Sequence, residues 1–133
     1  MTATVTSRTH PPAAAVVGWL SLLGAIGTAL LSVSHMGVEV PLLAGLGPGG
    51  TRAVPVAAVG FAVAAVLYAG IAFGAFRQAS WAWTAGLVLN ALAVLSGLGN
   101  FRGAASATGI VIGVLTLIVL ISPGGRQALR RRR

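Results

Sequence analysis

Residues 53–76 read AVPVAAVGFAVAAVLYAGIAFGAF, with Arg52 just before them, Arg77 just after and no charged side chain between. As a helix the stretch rises about 36 Å, enough to cross a hydrocarbon core about 30 Å thick. A buried helix of a soluble protein could be this apolar, so the composition of the whole chain decides. It is 56% hydrophobic and 8% charged over 133 residues, against about 25% charged in a soluble domain. Nine arginines, two histidines and one glutamate cannot supply a polar shell for a chain of this length. Lipid is therefore the solvent, and the stretch is a membrane span.

Working outward, three more uncharged runs have spanning length. The first covers about 13–33, and the others about 81–99 and 104–121. A polar lead, MTATVTSRTHPP, occupies 1–12 and reads as disordered. The link over 34–52 carries Pro41 and the GPGG turn cluster at 47–50. Arg77-Gln78-Ala79-Ser80 makes a tight connection, and Asn100 to Gly103 turns the chain again. Ser122-Pro123-Gly124-Gly125 stops the last span and opens a basic tail over 122–133, which ends in RQALRRRR. The expected fold is an all-α membrane protein, with four transmembrane helices in a compact bundle. A rival reading of the first span is a signal peptide cleaved near Ser32-Val33-Ser34, but its apolar run exceeds the usual 7 to 15 residues.

Arginine positions predict orientation. With both termini cytoplasmic, Arg8, Arg77, Arg126 and Arg130 to Arg133 lie inside, while Arg52 and Arg102 lie outside. That excess obeys the positive-inside rule. It also accounts for the net charge of +8 without nucleic acid, because the arginines sit at the ends of apolar runs. Every basic residue is Arg, and Ala, Gly, Val and Pro abound, which points to a GC-rich bacterial genome and a bacterial plasma membrane. The bilayer is then the first partner. Arg126, Arg130, Arg131, Arg132 and Arg133 would attract anionic lipid at about 1 kcal/mol each, or dock a partner.

Small residues predict how the spans meet, because lipid provides no hydrophobic drive for association. Gly70 and Gly74 form a GxxxG pair, Gly60 and Ala64 are spaced alike, and Ala105, Gly109 and Gly113 repeat at intervals of four. Such stripes pack helices within one subunit or form a homo-oligomer seam. One polar contact follows from depth. If the second and third spans turn near Gln78, Tyr68 and Asn90 lie at one level, roughly 15 Å into the membrane. A buried Asn amide needs a partner, so both side chains are expected to face inward.

The catalytic inventory is sparse. Without cysteine there is no thiolate and no disulfide. Without Lys there is no Walker-type loop, and without Asp no acid cluster for Mg²⁺. One carboxylate cannot run a two-carboxylate hydrolysis. His10, His35 and Glu39 fall short of a zinc site, and the two histidines are expected on opposite sides of the membrane. A Ser-His-acid hydrolase would have to draw on Ser32 or Ser34 with His35 and Glu39, and no nucleophile elbow is present. If the first helix continues past Val33, His35 and Glu39 share a face four residues apart and form a polar pair at the outer surface. No cofactor is implied. The expected function is that of a non-catalytic accessory or assembly partner of a membrane complex. The alternative is a small oligomeric transporter or channel, for which Tyr68 is the only titratable side chain within the spans.

Overall fold

The computed structural model describes residues 12–44, 53–101 and 103–130. Proline writes several of the helix starts, because its fixed φ suits the first turn and its missing N–H would be unpaired there anyway. Helix α1 begins at Pro12 and runs to His35, and the short α2 covers Pro41–Ala44. Helix α3 spans Pro55–Phe76 and α4 spans Ser80–Gly99. Helix α5 follows over Ala104–Ile121, then α6 over Pro123–Arg130. Among the described residues there is no strand.

Helices α1, α3, α4 and α5 are each long and apolar enough to cross a membrane. Their outward residues, such as Val56, Val66 and Leu95, are large, apolar and exposed, as lipid-facing positions must be. The most extensive packing is α1 along α3, followed by α4 along α5. Lesser contacts join α1 to α5 and α3 to α4.

Glycine sets these approaches at several points. Gly18 of α1 lies under the Phe76 ring, and Gly24 lies 3.1 Å (from an added Cβ) from the Tyr68 ring. Between α4 and α5 a Cβ on Gly97 would come within 2.8 Å of Ile110, and one on Gly113 within 2.8 Å of Val94. A buried apolar cluster of Ala14, Val17, Ala75, Leu120 and Leu129 then gathers α1, α3, α5 and α6 at one end.

Helix α1 takes in Pro12 from the expected lead, and two further boundaries depart from the sequence reading with consequences for the site. The Ser122-Pro123-Gly124-Gly125 run stops α5, but it does not leave a bare tail, because α6 starts within it at Pro123. Ser122 serves both helices: its hydroxyl donates to the Val119 carbonyl at 2.6 Å and accepts the Gly125 N–H at 3.1 Å. The second bond is an N-cap, reaching the third residue of α6. At the other end α1 continues two residues past Val33 and stops at His35. The chain turns there through Gly37, whose φ of +86° an L side chain rarely adopts. The GPGG cluster, Arg8, Arg52, Arg102 and Arg131 to Arg133 lie outside the described residues.

Candidate functional site

Two buried polar contacts join spanning helices: Ser32 of α1 donates to the Ala58 carbonyl of α3 at 2.8 Å near one end, and a second lies near the middle. Tyr68 of α3 and Asn90 of α4 are both buried, and the Tyr68 hydroxyl donates to Asn90 Oδ1 at 3.3 Å. The Asn90 amide donates in turn to the Gly86 carbonyl at 2.8 Å. The first bond exceeds the usual 2.5–3.0 Å range for O–H···O, so it is weak. Interhelical hydrogen bonds in membranes average about 0.6 kcal/mol. Leaving the buried amide unpaired would cost about 1–3 kcal/mol. Satisfying Asn90 thus matters more than the strength of the contact.

The neighbouring helices meet this pair with small residues. Gly24 of α1 faces the Tyr68 ring, and Gly113 of α5 leaves room beside the Asn90 carbonyl. Thr116, one turn along α5, is buried and donates back to the Ile112 carbonyl at 2.8 Å. Ser21, one turn along α1 from Gly24, is also buried, and its hydroxyl has no hydrogen-bond partner. Four helices therefore contribute to a layer of hydroxyl and amide groups. Apart from the Ser21 hydroxyl its groups bond one another or their own helices, and it contains no carboxylate, imidazole or guanidinium. Depth matching in a hairpin was enough to single out Tyr68 and Asn90. Ser21 and Thr116 escaped it because a lone Ser or Thr usually bonds its own helix, as Thr116 does.

His35 and Glu39 are not brought together as a helical pair. Because α1 ends at His35, Glu39 falls in the exposed link before α2. The imidazole turns back along α1, its Nδ1–H donating to the Leu31 carbonyl at 2.8 Å, which requires the proton on Nδ1. The ring rests against Phe61 with centroids 5.0 Å apart, and the His35 carbonyl accepts the Val54 N–H at 2.8 Å. The histidine thus joins the end of α1 to the start of α3. The physical reason is local: the turn at Gly37 breaks the four-residue spacing on which the pairing depended.

The basic tail is placed in part. Arg126 is exposed on α6, while Leu129 on the same helix is 1% exposed within the apolar cluster. Trp83 of α4 packs against that cluster and donates its indole N–H to the Leu120 carbonyl at 2.9 Å. That carbonyl is one of those left unpaired at the end of α5.

Among the described residues no three His, Cys, Asp or Glu side chains gather to hold a metal ion. No protein-family model, curated protein or solved structure matches the chain.

Proposed function

We propose that the chain is a non-catalytic accessory or assembly partner of a larger membrane complex. It would sit in a bacterial plasma membrane as a compact four-helix bundle with both termini cytoplasmic. The observation that supports this reading is the Tyr68–Asn90 layer. Where a solute path through one subunit would have to run, side chains from α3 and α4 bond to each other and glycines from α1 and α5 close against them. A Tyr68–Asn90 contact satisfied from within holds helices together, which is the ordinary use of Asn in a membrane. The apolar exterior is then left for lipid and a partner chain.

The test is affinity capture from membranes in mild detergent, followed by mass spectrometry and sizing. The reading expects a different membrane protein at a fixed ratio to this chain. A homo-oligomer that carries a solute across liposomes would overturn it in favour of a transporter or channel. One observation favours that second reading. The buried Ser21 hydroxyl, one turn along α1 from Gly24, lacks a partner, and a bound polar solute would supply one. A Ser21→Ala variant that loses flux in such liposomes while keeping its fold would establish the role.

A further inference from the structure

The turn between α3 and α4 closes as a Schellman motif. The Ala79 N–H reaches back to the Gly74 carbonyl at 2.8 Å and the Gln78 N–H to the Ala75 carbonyl at 3.0 Å. Gln78 occupies the left-handed position, with φ of +54°, that glycine usually takes. This tight turn sets Arg77 and Trp81 around one open recess of about 470 Å³, lined also by Phe73, Gly74 and Ser80.

Each wall has a physical cause. Gly74 carries no side chain, and the Trp81 indole fills the space where one would be, with Cζ2 only 2.6 Å from an added Cβ. Trp81 and Phe73 remain 52% and 60% exposed, so each ring presents a face to the surroundings. The Arg77 guanidinium lies over the Phe73 ring, 5.2 Å from its centroid, which restrains a long side chain by a cation–π contact.

Among the described residues Arg77 meets no carboxylate side chain. The sole acidic residue, Glu39, follows α1 at the opposite end of the spans, a helix length of about 36 Å away. The planar guanidinium fork matches the oxygens of a phosphate. Helix α3 ends and α4 begins here, so the recess lies at headgroup depth, where indole rings favour the interface. We propose that this recess binds the headgroup of an anionic phospholipid. Arg77 takes the phosphate, and the glycerol and upper acyl carbons cover the Phe73 and Trp81 rings. A free phosphate would satisfy the guanidinium but would leave those rings uncovered, so the walls select the lipid. The site is separate from the attraction expected of Arg126 and the tail beyond it.

The experiment is native mass spectrometry of the full chain released from nanodiscs that contain phosphatidylglycerol and phosphatidylcholine. Wild type should retain phosphatidylglycerol in preference to phosphatidylcholine, and added glycerol 3-phosphate should not displace it. Arg77→Gln should weaken retention of one phosphatidylglycerol about fivefold, from the attraction of one arginine near a membrane surface. Arg77→Lys should fall between the two, and Arg126→Gln should leave that lipid in place. The proposal fails if Arg77→Gln retains the lipid as wild type does, or if Arg126→Gln costs as much. It also fails if glycerol 3-phosphate displaces the lipid, which would make the recess a site for free anions. Helix content by circular dichroism separates lost binding from lost fold. If Arg77→Gln misfolds, wild type decides alone, and equal retention of the two lipids overturns the proposal.

Discussion

Gly70 and Gly74 stand four residues apart in α3 and look equivalent in sequence, yet their surroundings differ. A Cβ at Gly74 would meet Trp81 at 2.6 Å and Ala82 at 2.9 Å, whereas nothing lies within 4 Å of one at Gly70. Gly74→Ala should therefore destabilise by roughly 1–3 kcal/mol, the usual range for overpacking. Gly70→Ala should be neutral or stabilise by up to about 1 kcal/mol through helix propensity. Unfolding in a titration with denaturing detergent measures both, and equal effects would refute the distinction. The same contrast separates Gly113, which packs beside Val94 and Asn90, from Gly109, which meets nothing. A four-residue repeat marks one helix face, but only the neighbouring helix decides which glycine on it is used.

Helix α6 shows what one residue can do for an element. Ser122 donates to α5 and caps α6, and Arg126 N–H bonds its carbonyl at 3.0 Å. Gly125 has to be glycine, since a Cβ there would collide with the Val119 carbonyl. Eight residues make a marginal helix in isolation, so capping and the burial of Leu129 hold it in place. Ser122→Ala should cost about 1 kcal/mol, typical of a lost N-cap, and should speed hydrogen exchange over 124–130 while leaving α4 protected. Equal exchange over 124–130 in Ser122→Ala and wild type would show that the cap is dispensable. In sequence this segment read as a stop signal and a charged tail, because two consecutive glycines argue against helix by propensity. The close approach of α6 to α5, which requires a glycine there, is a tertiary fact.

For the whole molecule, the arginine distribution carries a prediction about orientation. The chain has no cysteine, so single cysteines report accessibility without background. Thr2→Cys and Gln127→Cys should resist a membrane-impermeant thiol reagent in intact cells and react after lysis, whereas Val38→Cys should react in both. The reverse pattern would invert the proposed topology. Labelling of Thr2→Cys on the same side as Val38→Cys would remove α1 as a span.

Length and hydropathy alone were enough to find the four long helices, because a membrane span must satisfy its backbone internally and present apolar side chains to lipid. Proline and the hairpin at Gln78 placed the helix ends closely enough to match Tyr68 with Asn90 in depth. These are properties of one helix or of two joined by a short turn, and they follow from local sequence. Tertiary structure decided what depends on a third or fourth helix. It closed the Tyr68–Asn90 layer with Gly24 and Gly113, docked Leu129 on α1 and α5, and left Ser21 without a partner. It also set the His35 ring against Phe61 of α3. Such choices rest on close packing between helices distant in sequence, and a pattern read along one strand of chain does not contain the shape of its neighbour.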